Sequence, residues 1–267
     1  LFNGEIVPRK NGKIDVEDRG FQFGDGIYEV IRIYNGKPFA MEKHLDRFYE
    51  GLKKIYLDIP YRKEELAYML MGLIEKEERD IGNLYLQYTR GVFPRNHLIP
   101  EKSSGTLVAY VMNGSRPMEL MESGGRTVLV EDTRWFHCDI KSVSLLGNIL
   151  ARHKATMAGG FEAILHRGAY VTEASAANVW MIKDGTFFTH PANHLILNGI
   201  TRQILLELCN RSGIPAVEMA FTVEDLMQAD EVFLSSTTLE IVPVIQIDDR
   251  MIGEGKKGLY TEKIQKL

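Results

Sequence analysis

Residues 173–202, EASAANVWMIKDGTFFTHPANHLILNGITR, alternate strand-like runs with small-residue turns and end at the mouth of a helix. Glu173 stands where a short strand, 170–173, stops. Ala174-Ser175-Ala176-Ala177 then lets the backbone reverse before a second strand at 177–182. Gly199-Ile200-Thr201 opens a helix: Thr201 is a good N-cap, Ile204, Leu205 and Leu208 share one face, and Gly213 ends it. Unpaired N–H groups and the dipole at such an N-terminus favour an anion. The same residues also make an ordinary turn and cap, so the local pattern alone leaves both readings open.

Upstream, Ile27–Tyr34 alternates as a strand and Asn35-Gly36 is a hairpin signal. Leu45, Phe48 and Leu52 recur at helical spacing over 43–55, and Leu66, Leu70, Leu73 and Ile74 do so over 63–77. Strands are expected at 83–90 and 106–112. The breakers in Asn113-Gly114-Ser115-Arg116-Pro117 mark a boundary. This divides the chain into a smaller N-terminal α/β domain (1–114), a linker (115–119) and a larger C-terminal domain (120–267). In the latter, a strand at 126–131 and a helix at 143–157, stopped by Gly159-Gly160, precede strands at 161–166, 170–173 and 177–182. A short buried strand, Val232–Leu234, runs into Ser235-Ser236-Thr237-Thr238. The order implies an α/β (α+β) two-domain protein with its site in the interdomain cleft.

Composition narrows the function classes. Hydrophobic residues are 45% and charged residues 25%, which is ordinary for a soluble globular chain. A net charge of −4 argues against nucleic-acid or anionic-membrane partners. No apolar run approaches the roughly 20 residues of a membrane span, and LFNGEIVPRK lacks the pattern of a signal peptide. Two cysteines, Cys138 and Cys209, are too few for a disulfide framework, which points to the cytoplasm. His190-Pro-Ala-Asn-His194 has zinc-like spacing, but Pro191 and the missing glutamate spoil a helical metal site. Gly24-Asp25-Gly26 is a lone GxG, and neither a phosphate-binding P-loop nor a nucleophile elbow occurs.

Lys141, in Cys138-Asp139-Ile140-Lys141-Ser142, is flanked by Trp135, Phe136, Ile140, Val143, Leu145 and Leu146. A lysine is ordinarily a solvated surface residue. Desolvation by such neighbours would instead free its amine as a nucleophile and proton carrier, able to form a Schiff base with an aldehyde cofactor. Arg95 and His97 follow Pro94, which biases Phe93 toward extended backbone. Two residues apart on an extended chain, they point to one side and suit a carboxylate. A polar surface loop explains them equally well.

The spacing of Glu173, Asn178, Thr189, Gly199 and Arg202 resembles the signature of the fold-type IV pyridoxal-phosphate enzymes. The likeness extends to Glu17-Asp18-Arg19-Gly20, Phe23–Glu29, Trp135–Gly147 and Thr189–Asn193. It implies pyridoxal 5′-phosphate as cofactor, with Lys141 as the Schiff-base lysine and Glu173 on the pyridine nitrogen. Arg47, Ile200, Thr201, Ser236 and Thr237 would surround the phosphate. Trp180 stands where Phe or Tyr is usual. Ala176 and Ala177 replace serines, which removes hydroxyls from that loop.

Arg95-x-His97, completed by Tyr28, resembles the substrate-carboxylate trap of the family's D-amino-acid aminotransferase branch. That likeness implies a ping-pong exchange in which D-alanine and 2-oxoglutarate give pyruvate and D-glutamate. It also implies a homodimer whose trap reaches the neighbouring subunit's site. An L-branched-chain aminotransferase and an aminodeoxychorismate lyase are the rival readings.

Overall fold

The computed structural model describes residues 1–267, and none of its helices is long and apolar enough to cross a membrane. The chain divides into two compact units, Leu1–Ser115 with Ile140–Ser144, and Arg116–Asp139 with Leu145–Leu267.

The first unit contains α1 (Arg19–Phe23), β1 (Gly26–Tyr34), β2 (Lys37–Pro38), α2 (Met41–Lys54), α3 (Lys63–Glu77), β3 (Ile81–Thr89) and β4 (Thr106–Asn113). Its four strands form an antiparallel sheet in the order β2-β1-β3-β4. The hairpin turns on Asn35 and Gly36, both at positive φ (50° and 70°), as a two-residue turn that follows strand twist requires. On β1, Ile27, Glu29, Ile31 and Ile33 share one face and are all buried. The two helical stripes read from the sequence, Leu45/Phe48/Leu52 and Leu66/Leu70/Leu73/Ile74, are buried in one core with these isoleucines. Each large apolar side chain removed from water in this way contributes roughly 1.5–3 kcal/mol. Glu29 is the exception on that face, a fully buried carboxylate among isoleucines.

The second unit contains α4 (Met118–Ser123), β5 (Gly125–Glu131), α5 (Leu146–Met157), β6 (Glu162–Arg167), β7 (Tyr170–Ala174), β8 (Asn178–Lys183), β9 (Thr186–Thr189), α6 (Ile200–Arg211), β10 (Ala216–Glu218), α7 (Val223–Met227), β11 (Glu231–Ser236), β12 (Glu240–Ile247), β13 (Arg250–Met251) and α8 (Leu259–Lys266). Its nine-stranded mixed sheet has the order β10-β9-β8-β11-β12-β5-β6-β7, with β13 on β12. The pairs β10/β9, β12/β5 and β5/β6 are parallel and the rest antiparallel. Trp180 is a core residue: it is fully buried, stacks on Phe233 at 5.5 Å and donates its indole N–H to Ser235 Oγ at 2.9 Å.

Three expectations are corrected. The helix expected at 143–157 begins at Leu146. The residues ahead of it pair with β1 instead: Tyr28 N donates to Lys141 O and Val143 N donates to Gly26 O, which ties Ile140–Ser144 to β1 and to the first unit. The N-cap of α6 is Gly199 rather than Thr201. A Cβ at Gly199 would lie 2.2 Å from Asn178 Oδ1, so only glycine fits there. The strand expected at Val232–Leu234 runs from Glu231 to Ser236 because β8 and β12 pair along its whole length.

Candidate active site

In the first unit Lys141 is half-buried, not enclosed by its sequence neighbours, since Trp135, Phe136 and Leu146 are all exposed. What it meets is Tyr28. The ammonium nitrogen lies 4.3 Å from the centre of that ring, a cation–π contact, and Tyr85 stacks on Tyr28 at 5.8 Å. The backbone pairing with β1 fixes this meeting, because it holds Lys141 O on Tyr28 N at 3.0 Å.

Arg47 projects from α2 onto Glu29, donating Nε to Oε1 at 2.7 Å and Nη2 to Oε2 at 2.8 Å. His44, one turn earlier on α2, has Nδ1 2.8 Å from Glu29 Oε2. A fully buried carboxylate is tolerated here because the Arg47 guanidinium and the His44 ring both meet it. Burial alone would raise its pKa, but Arg47 and His44 outweigh that and hold the Glu29 carboxyl down at about 2. Burial keeps His44 below the usual histidine range.

The sign follows from linkage. A carboxyl whose folded value lies below its usual 4.5 contributes stability above that pH and loses it as pH falls toward 2. The parent should therefore gain about 3 kcal/mol of stability between about pH 2 and neutral pH that Glu29→Gln lacks. Urea unfolding at several pH values checks this. Identical acid slopes in the variant and the parent would contradict it.

In the second unit Glu173, at the end of β7, is buried and held by three donors. Arg134 Nη1 reaches Oε1 at 2.7 Å, and Oε2 accepts from Asn178 Nδ2 at 3.2 Å and from Leu197 N at 3.1 Å. Arg134 gives Nε and Nη2 to Asp132, so Asp132 takes two of its donors and is held at about 2. Glu173 receives one, and burial prevails, pushing its carboxyl up to about 7. The sequence reading missed Arg134, Asp132 and the positioning role of Asn178. The available signal was Asp132-x-Arg134, two charges just beyond an apolar strand.

Gly199, Ile200 and Thr201 open α6 with no side chain capping the helix, which leaves its first N–H groups without a side-chain cap. At the end of β11, Ser236 Oγ accepts from Leu239 N at 3.1 Å, and Thr237 begins the turn to β12.

Residues 91–100 form no strand, and Arg95 and His97 are exposed. Both pack on the ring of Phe23, Arg95 at 4.6 Å and His97 edge-on at 5.6 Å. The first unit thus carries Tyr28 with Lys141, Arg47 with Glu29, and Arg95 with His97. The second carries Glu173, Ile200, Thr201, Ser236 and Thr237.

A family model for class IV amino-transferases matches residues 26–247, from the first residue of β1 to the last of β12. The D-alanine aminotransferase of Listeria monocytogenes serotype 1/2a (strain 10403S) is 50% identical over 267 residues, spanning 99% of this chain and 92% of that protein. The structure of Escherichia coli branched-chain amino acid aminotransferase is similar with a TM-score of 0.95 at 27% identity, covering 99% of this chain and 91% of that one. The branched-chain aminotransferase of the thermophilic archaeon Thermoproteus uzoniensis, solved with norvaline, reaches a TM-score of 0.90 at 28% identity, covering 100% and 91%. The chain belongs to the class IV aminotransferase family.

Proposed function

We propose that this chain exchanges amino groups between D-amino acids and 2-oxo acids, turning D-alanine and 2-oxoglutarate into pyruvate and D-glutamate with pyridoxal 5′-phosphate as cofactor. The observation that carries this reading is the 50% identity, across nearly the whole chain, to a D-alanine aminotransferase. The structural likeness to branched-chain enzymes is at 27–28% identity and reports the scaffold both share, not the hand of the substrate.

The residues fit the cofactor: a buried carboxylate with its oxygens fixed, an uncapped helix N-terminus for a phosphate, and an amine placed on an aromatic ring. When bound, pyridoxal 5′-phosphate supplies an aldehyde that takes up the amine and a ring that delocalises charge from Cα. Lys141 Nζ would hold that aldehyde and would move a proton to and from the substrate's Cα. Glu173 keeps the pyridine nitrogen protonated, with Arg134, Asn178 and Leu197 N holding its carboxylate in place.

The N–H groups of Ile200 and Thr201, the hydroxyls of Ser236 and Thr237, and Arg47 bind the phosphate. Arg95, His97 and Tyr28 bind the substrate's α-carboxylate and so fix which hand is accepted. The exchange is ping-pong, and the protein works as a cytoplasmic homodimer whose Arg95 and His97 serve the partner's site.

A coupled assay tests the reading. Pyruvate should form from D-alanine over many turnovers only when 2-oxoglutarate is supplied, and L-leucine should be a far poorer donor. Sustained pyruvate release, beyond one equivalent per site, without an oxo-acid acceptor would instead contradict transamination. Arg95→Ala should raise KM for D-alanine roughly ten- to a hundredfold, the effect of losing one charge-assisted carboxylate partner.

A further inference from the structure

We propose that Phe23 is the positioning residue of the carboxylate trap, its ring holding Arg95 and His97 in place. This rests on the reading of that pair as the substrate-carboxylate site. Both side chains are exposed and belong to a segment without regular structure, yet both converge on one ring. Arg19 lies against the same ring at 4.9 Å and donates Nη1 to Asn96 O at 2.5 Å, gripping the residue between them.

The ring stands on a fixed base. Asp18 caps α1 through Gly20 N and accepts from Thr89 Oγ1 at 3.0 Å and Thr106 Oγ1 at 2.7 Å, which ties α1 to β3 and β4. Arg19 N donates to Gly91 O at 2.9 Å and Phe93 N to Glu17 O at 3.3 Å, so the loop is also anchored where it departs. Between those anchors and Asn96, the Phe23 ring is the surface on which the Arg95 and His97 side chains rest. Its electron-rich face attracts the Arg95 guanidinium, and its bulk limits the rotamers open to both. Preorganised donors lose less freedom when a carboxylate arrives, so the ring should lower KM without entering the chemistry.

Steady-state kinetics of the holoenzyme test this in four proteins: the parent, Phe23→Leu, Phe23→Trp and Arg95→Ala. Phe23→Leu should raise KM for D-alanine about five- to tenfold, the scale of two exposed ring contacts, with kcat within about twofold. Phe23→Trp, which keeps a ring, should restore KM. Histidine-labelled NMR gives a readout apart from turnover. His97 ring protons should show contacts to the Phe23 ring in the parent, and those resonances should move toward free-histidine positions in Phe23→Leu. The NMR contacts stand as the test even if Phe23→Leu does not fold, and their absence in the parent overturns the proposal. A Phe23→Leu enzyme with unchanged KM overturns it too, while an Arg95→Ala variant with raised KM leaves the carboxylate reading standing. An unchanged KM in Arg95→Ala brings down that reading, and this proposal with it.

Discussion

Lys141→Ala is expected to lower turnover with D-alanine by at least about a thousandfold, because one atom, Nζ, is assigned both cofactor attachment and proton transfer. Positioned proton transfer alone accounts for about 10²–10⁴ in rate, and covalent attachment adds to that. The loss should fall on kcat, since the phosphate and ring-nitrogen contacts assigned to Arg47, Ile200, Thr201, Thr237 and Glu173 remain. Borohydride reduction followed by peptide mapping should place a pyridoxyl group on Lys141 in the parent and nowhere in the variant. Label on another lysine would overturn the assignment. Tyr28 and the backbone bonds from β1 hold this lysine, so the variant should keep its fold.

Glu173→Gln is expected to retain cofactor while slowing the proton-transfer step by roughly 10²–10³, the scale seen when one preorganised electrostatic partner is removed. Single-turnover kinetics check it, and unchanged rates would mean that another group serves the ring nitrogen. The same variant carries a separate signature in the cofactor-free protein. Burial raises the folded value of Glu173 from 4.5 to about 7, so the fold disfavours its charged form. The unfolded chain releases this proton first, so stability should fall as pH rises from about 4.5 to 7, by about 3 kcal/mol. Glutamine has no such titration, so the slope should flatten in the variant. Urea unfolding across that range gives the comparison.

How much of this was legible depended on whether a residue's role was local. The apolar stripes of α2 and α3 follow from helical period alone, and each residue named from them is buried. The Asn35-Gly36 hairpin is likewise a two-residue matter. The strands β9, β10 and β12 and the helices α7 and α8 escaped because they are short or supported by distant partners. Tertiary pairing rather than pattern makes β12, which joins β11 on one side and β5 on the other. Thr201 looked like a cap because its hydroxyl suits one. The tight approach of Asn178 to Gly199, from another element, sets the helix start two residues earlier. Lys141 looked shielded by its flanking aromatics, which turn outward, while Tyr28, far away in sequence, supplies its contact. Within the candidate site, chemistry-bearing residues were readable by type and spacing. The groups that hold them, Arg134 under Glu173 and Glu29 under Arg47, were not, because only the fold brings them together.

The central claim concerns the hand of the substrate, and the chirality of the product tests it most directly. Purified protein supplied with pyridoxal 5′-phosphate, D-alanine and 2-oxoglutarate should yield glutamate that chiral chromatography resolves as the D-enantiomer. L-alanine in place of D-alanine should yield almost none. Formation of L-glutamate, or equal use of L-alanine, would contradict the account.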